Sequence, residues 1–197
     1  MSIHMDTMAA LLEKNDLPAL KTYMEKYHHS FEQSHHFLST GNAVMDCILS
    51  NKILYAKQLH FDVDYSLMIP ASFHMDDMEL SSLIGNLWNN AIEACLKYQK
   101  LHPDLTPHID FFIKPYQNMV IFHMENSSTG IYHQKKDQTL LSTKPESGHG
   151  IGLRRIRSIA ESAGGMIEIS PKETLFTVHM MIPLEENCDE TIQNCCN

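Results

Sequence analysis

Cysteine is sparse in this 197-residue chain, and its spacing excludes more than its number does. The five thiols (Cys47, Cys95, Cys188, Cys195 and Cys196) are odd in count and include no Cys-x-x-Cys pair. A zinc ribbon and a thioredoxin-type centre are thereby excluded, and free thiols in a reducing cytosol are expected. Cys47 and Cys95 stand among apolar neighbours and read as buried small hydrophobes. No apolar run approaches the roughly 20 residues that a membrane span needs. No basic stretch leading into an apolar core opens the chain, so the pattern of a signal peptide is missing. Basic charge is in deficit: 15 Lys and Arg stand against 24 Asp and Glu, a net charge of −9. A nucleic-acid-binding surface usually shows as a basic excess, so nucleic acid is not expected as a partner. What remains is ordinary for a globular chain, 43% hydrophobic and 20% charged. That suffices for one domain with an appendage, or for two small domains.

Periodicity divides the chain into elements. From Met5 to about Leu38, Met8, Leu11 and Leu12 form one helical stripe, and Leu17, Leu20, Tyr23, Met24, Tyr27 and Phe31 form another. Asn15-Asp16 separates them, with Asp16 as a cap and Pro18 in the first turn of the second helix. A hairpin with one apolar face per arm needs a partner, most simply its own copy in a four-helix dimer. After the Ser39-Thr40-Gly41-Asn42 break, another amphipathic helix has Val44, Ile48 and Tyr55 among its apolar positions. Phe61 to Tyr65 alternates as a strand, and Asp76-Asp77 opens a helix to about Lys100. Ile109–Ile113 and Met119–Met124 read as strands joined by a turn at Pro115–Asn118. Ser127 to Gly148 is a long polar loop of the kind that tends to be functional. A helix from about Gly150 to Ser162 stops at Gly164-Gly165, and Met166–Ser170 and Leu175–Ile182 form a closing hairpin. The expected fold class is α+β, an α/β sandwich with helices on one face of a mixed sheet, preceded by a helical hairpin. The expected division is a hairpin over 1–40, a catalytic-type domain over 41–185 and a flexible tail over 186–197.

Four constellations carry chemistry. In Asn86-Leu87-Trp88-Asn89-Asn90-Ala91-Ile92-Glu93, the residues Asn86, Asn90 and Glu93 lie at i, i+4 and i+7 on one helical face. Leu83, Leu87 and Ile92 take the opposite side. Asparagine carbonyls supply oxygen ligands for magnesium without adding charge that would repel a triphosphate. A helix with polar residues turned to solvent has the same pattern. Gly148-His149-Gly150-Ile151-Gly152-Leu153 opens a helix, and glycines at alternate positions allow an anion to approach the free N–H groups there. It is neither a Walker A loop nor a dinucleotide turn. Lys144, four residues upstream, can meet a phosphate as a point charge or remain solvated. Glu125-Asn126 at a strand end can accept from an exocyclic amine such as that of adenine. Thr174 in Thr174-Leu175-Phe176 can bring a hydroxyl to the same pocket. The thirteen histidines, among them His28-His29 and His35-His36, read as solvent-facing or dimer-facing rather than as zinc ligands. Arg154, Arg155 and Arg157 read as a solvated helix face, with a phosphate or partner contact as the alternative.

The order and spacing of these pieces resemble the GHKL ATP-binding fold of histidine kinases, gyrase, Hsp90 and MutL. The likeness is to sensor kinases of the AgrC-like quorum-sensing type. It is carried by STGNAVMDCILSNK, LIGNLWNNAIEAC, VIFHMEN, the GHGIGL turn continuing as RRIRSIAESAGG, and FTVHMMIP, from about residue 5 to Pro183. The resemblance implies that ATP and Mg2+ are the cofactors and that Asn90 binds the metal. Asn86, upstream in the same box, is implied to help hold the metal or the attacking group. Glu125 stands where many members place the adenine-reading aspartate, with Asn126 beside it; the usual DxGxG reads Glu125-Asn126-Ser127-Ser128-Thr129-Gly130 here. Gly148, Gly150 and Gly152, with Leu153 closing the turn, match the second glycine box, Lys144 lies on the lid, and Thr174 matches the adenine-side threonine.

Family members carry a phosphoacceptor histidine followed by an acidic residue, and no histidine here is followed by Asp or Glu. His4 matches a second histidine downstream of the acceptor, so the chain is expected to be a fragment cut after the acceptor and any membrane sensor region. The implied activity is that of a cytoplasmic protein-histidine kinase module. It would pass the γ-phosphoryl of ATP to a histidine on the dimerisation helices, and thence to a response regulator. The implied partners are a second copy, through the N-terminal helices, and that regulator. The alternative is a dimeric regulatory module of the same fold with weak or no ATP binding.

Overall fold

The computed structural model describes residues 3–28, 38, 40–71, 73, 75–131, 133–134, 140–141 and 151–184. They belong to two units, Met1–His36 and Phe37–Asn197. In the first, α1 (Ile3–Glu13) and α2 (Leu17–His28) pack as a hairpin. Asn15 adopts a positive φ of 53° at the reversal, and Asp16 Oδ1 then accepts from the Ala19 N–H at 3.1 Å, the expected cap. Leu12 and Leu17 remain 56% and 59% exposed, apolar surface that the hairpin by itself leaves in water. Phe31, His29 and His35-His36 lie outside the described residues.

The second unit runs α3 (Ala43–Gln58), β1 (Asp62–Leu67), α4 (Asp77–Leu101), β2 (His108–Tyr116), β3 (Met119–Ser127), β4 (His133–Gln134), β5 (Leu140–Leu141), α5 (Ile151–Ser162), β6 (Met166–Pro171) and β7 (Leu175–Pro183). Five strands form one mixed sheet in the order β1-β2-β3-β7-β6. β1 and β2 are parallel, which requires a crossover, and α4 supplies it. The other pairs are antiparallel. Alternation along each strand sends Val63, Ile109, Phe111, Ile113, Val120, Phe122, Met124, Val178, Met180 and Ile182 to one face. There they meet the buried sides of α3, α4 and α5 in a single core. The other face carries polar and aromatic side chains such as Asp110, Phe112, His123, Glu125 and His179. The expected one-sided sandwich is therefore the observed fold.

Three details differ from the sequence reading. The core-facing stripe of α3 is Met45, Leu49, Ile53 and Ala56. The expected positions flank it: Val44 and Ile48 are half-buried and Tyr55 is 43% exposed. Both sets recur at helical spacing, and only the sheet decides which one packs. Cys47, on that same flank, is exposed, whereas Cys95 is buried and its thiol is pushed up to about 12 by burial. Within the long polar loop, β4 pairs antiparallel with β5, a ladder too short to produce visible alternation.

Candidate nucleotide site

α4 is held at both ends. The Asp76 carboxylate accepts from the N–H groups of Met78 and Glu79 at 2.8 and 3.2 Å, and Asp77 and Glu79 add negative charge at the positive end of the helix. His102 donates its N–H to Tyr98 O at 2.9 Å, and Pro103 follows. Leu80, Leu83, Ile84, Leu87, Trp88, Ala91, Ile92 and Cys95 face the core. Ser82, Asn86, Asn90 and Glu93 are consequently displayed away from it, only half-buried.

α3 braces this helix from one side. Asn42 Oδ1 caps it through Met45 N at 2.9 Å, and Asp46 Oδ1 accepts from the Thr40 N–H and hydroxyl at 2.9 and 2.6 Å. Thus the Thr-Gly-Asn stretch starts α3, and Lys52, ten residues beyond Asn42, donates to Asn89 Oδ1 at 2.6 Å. Partial burial holds the Lys52 ammonium below its usual range.

α5 closes the other side. Ile156, Ile159 and Ala160 are its buried positions, Leu153 leans on the core, and α5 packs along α4. At its first turn the two helices meet closely. A Cβ on Gly152 would lie 3.1 Å from Asn90 Oδ1, 3.3 Å from Asn86 Oδ1 and 3.3 Å from Asn90 Nδ2. The absence of a side chain there lets both amides face the start of α5. Asn86 donates Nδ2 to Ser82 O at 2.6 Å, turning its oxygen the other way. Asn90 Nδ2 is buried and, like Trp88 Nε1 in the same helix, has no hydrogen-bond partner among the described residues. A buried polar atom left unpaired is costly and calls for an explanation such as a ligand. Glu93 pairs with Lys97 at 3.1 Å, one turn on along α4.

The strand-end residues separate. Asn126 shares its register with Ile109 and Phe176, faces the helices and is 2% exposed. Its Nδ2 donates to Ser127 O at 2.9 Å, so the group it can still offer is its acceptor oxygen. Glu125 projects from the opposite face, where its Oε2 accepts from the Thr177 hydroxyl at 3.0 Å and its Oε1 lies 3.8 Å from His108 Nε2. Asn126 is thus on the side of Asn86 and Asn90, and Glu125 is not. Strand alternation carries that distinction, once the core side of Met124 is known. Gly130, at φ +68°, presses on the β6–β7 turn: a Cβ there would be 2.5 Å from Glu173 O. Next to it Ser128 N donates to Thr174 O at 2.8 Å, so exposed Thr174 adjoins this loop through its backbone. Lys144, Gly148 and Gly150 lie outside the described residues. Ser82 and Arg155 were not singled out as site residues from sequence, although Ser82 stands four residues before Asn86 on the same face. Among the described residues no group of three or more His, Cys, Asp or Glu side chains is arranged to hold a metal ion.

Residues 75–183, from the cap of α4 to the end of β7, match the family model described as the GHKL domain. The chain belongs to the GHKL family. Two curated relatives are sensor histidine kinases. CitA of Klebsiella pneumoniae is 28% identical over 152 residues, 71% of this chain and 26% of its own length. DpiB of Escherichia coli strain K12 is 26% identical over 114 residues, 54% of this chain and 20% of its own length. The chain therefore spans about a quarter of the length of these relatives. Among solved structures, the catalytic domain of histidine kinase ThkA superposes with a TM-score of 0.56 at 19% identity, covering 74% of this chain and 95% of that one. Histidine kinase AdeS of Acinetobacter baumannii superposes with a TM-score of 0.54 at 14% identity, covering 93% and 96%. At such identity the shared property is the fold. No helix among the described residues is long and apolar enough to cross a membrane.

Proposed function

We propose that this chain is the ATP-binding catalytic module of a sensor histidine kinase, working in the cytoplasm, with its hairpin as part of the dimerisation and phosphotransfer domain. The observation that carries the reading is the meeting of Asn86 and Asn90 with the glycine that opens α5, where a buried amide nitrogen has no partner among the described residues. These residues fit Mg-ATP. Asparagine oxygens suit a magnesium ion that keeps most of its waters and bridges phosphates, and the start of α5 offers N–H groups to an anion. When bound, Mg-ATP supplies an electrophilic γ-phosphoryl whose charge the metal neutralises. The protein's own contribution is to orient: Asn90 and Asn86 present oxygens, Gly152 leaves room, and the Asn126 oxygen accepts from the amine edge of adenine. Lys144, Gly148 and Gly150 complete the phosphate side in this reading, and Thr174 the adenine side.

The acceptor would be a neutral histidine imidazole on a dimerisation helix, and a response-regulator aspartate would follow. The AgrC-like type belongs to the same proposal and rests on the stretch from Ser39 to Lys52, which starts α3 and reaches α4 through Lys52.

The test is phosphorylation in trans. The chain is mixed with γ-labelled Mg-ATP and a hairpin from a related kinase that carries an acceptor histidine. Acid-labile, base-stable label on that hairpin is the expected result. Release of labelled phosphate with none on histidine would mean an ATPase instead. A second reading, a regulatory module with weak nucleotide binding, is favoured by one observation, that the side chain facing the helices at the end of β3 is an amide and not a carboxylate. It would be supported if neither label transfer nor hydrolysis occurred.

A further inference from the structure

Asn86 is useful to a cation only through its oxygen, and an asparagine side chain can turn either end toward a site. What fixes the choice is the partner of the other end, as outer partners fix the orientation of metal-binding side chains generally. Here Asn86 Nδ2 donates to Ser82 O at 2.6 Å and lies 3.4 Å from Ser82 Oγ. The same Oγ accepts from Arg155 Nε at 3.3 Å. Arg155 stands three residues after Gly152, on the same side of α5, and Gly152 is the residue whose Cβ would be 3.3 Å from Asn86 Oδ1. The Ser82 carbonyl thus makes the short bond to the amide nitrogen of Asn86, and the Ser82 hydroxyl adds a second, longer contact to that nitrogen and links it to α5 through Arg155. A hydroxyl has two acceptor lone pairs, and these two donors match that capacity.

We propose that Ser82 and Arg155 are positioning residues that hold the Asn86 oxygen toward the start of α5 and so set the magnesium dependence of nucleotide binding. The proposal rests on the nucleotide-site reading above. Ser82 works from α4 and Arg155 from α5, so a displacement of α5 releases the Arg155 contact and loosens the serine that orients Asn86. None of this requires either residue to touch nucleotide.

The test is calorimetric titration of the chain with a non-hydrolysable ATP analogue over a series of magnesium concentrations. Because the carbonyl bond remains in both, Ser82→Ala and Arg155→Ala are each expected to raise the magnesium concentration for half-maximal effect about two- to fourfold, with magnesium-free affinity unchanged. The double variant should be no worse than the more affected single one, because both act through one hydroxyl. Ser82→Thr, which keeps the hydroxyl, should restore the parent curve. Unchanged magnesium dependence in both alanine variants would overturn the proposal. So would an equal loss of binding with and without magnesium accompanied by a fall in Tm, the signature of a merely structural role. If the parent itself showed no magnesium-dependent binding, the reading of the site would fall and the positioning role with it. If the parent binds and the variants match it, the positioning role alone falls.

Discussion

At the scale of single residues, the site turns on side chains that the fold leaves incompletely used. Asn90 is half-buried, with a nitrogen that bonds to nothing among the described residues, so removing its amide costs the fold little. Asn90→Ala is expected to lower stability by less than about 1 kcal/mol while weakening magnesium-nucleotide binding at least about a hundredfold. Denaturant midpoints and calorimetry on the same sample check the two halves. Asn126 and Glu125 make a paired comparison. Asn126→Ala should weaken adenine nucleotide binding about tenfold, because a site that hydrogen-bonds a substrate group loses when the group goes unpaired. Glu125→Ala, on the far face, should change it less than about twofold; the reverse ranking would return the adenine-reading role to Glu125. The asparagines of α4 were legible in sequence because i, i+4 spacing alone places them on one face. The choice between Glu125 and Asn126 was not, since adjacent strand residues differ only in which face is buried. Arg155 read as one of three arginines on a solvated face, and only the approach of α4 shows that one of them reaches Ser82.

At the scale of elements, α4 and the loop after β3 carry the geometry. Caps, periodicity and glycine stops made α4, α5, β2, β3, β6 and β7 readable to within a few residues. β4 and β5 were missed because two-residue strands have no period. The packed face of α3 was assigned to its flank because Val44, Ile48 and Tyr55 mimic a stripe beside the true one. The loop from Ser127 to Gly130 is fixed by a glycine pressed on the opposite turn. At Gly130 a Cβ would meet Glu173 O at 2.5 Å and the φ is +68°, so both space and backbone oppose a side chain. Gly130→Ala should therefore cost about 1–3 kcal/mol. Thermal unfolding with and without nucleotide would measure the cost and show whether the adenine side of the pocket shifts with it. A variant as stable as the parent would mean that this contact is not maintained in solution.

At the scale of the whole molecule, one face of the sheet builds the core and the other is a polar surface with its own chemistry. The strand order was not legible, because β7 enters between β3 and β6 through non-local pairing that no local pattern announces. On the outer face His123 stacks on Phe112 with centroids 4.5 Å apart, and its Nδ1 lies 2.8 Å from His179 Nε2. Burial chiefly, with His179 and Lys114, pushes the His123 imidazole below its usual range, against the opposing pull of Asp110 and Glu125. A histidine kept neutral in the folded state contributes stability that is full above its unfolded value, about 6.5, and is lost as pH falls through the lower folded value. The Tm should accordingly drop below about pH 6.5, and His123→Phe, which retains a ring to stack on Phe112, should flatten that part of the profile. An identical slope in the variant would place the acid sensitivity elsewhere.

Magnesium-dependent binding of ATP to this domain is the claim on which the rest depends. The direct measurement is calorimetric titration with a non-hydrolysable ATP analogue, with and without magnesium. Saturable binding that strengthens with magnesium and disappears in Asn90→Ala is the expected result. No heat of binding at millimolar nucleotide, or binding indifferent to both magnesium and Asn90, would contradict it.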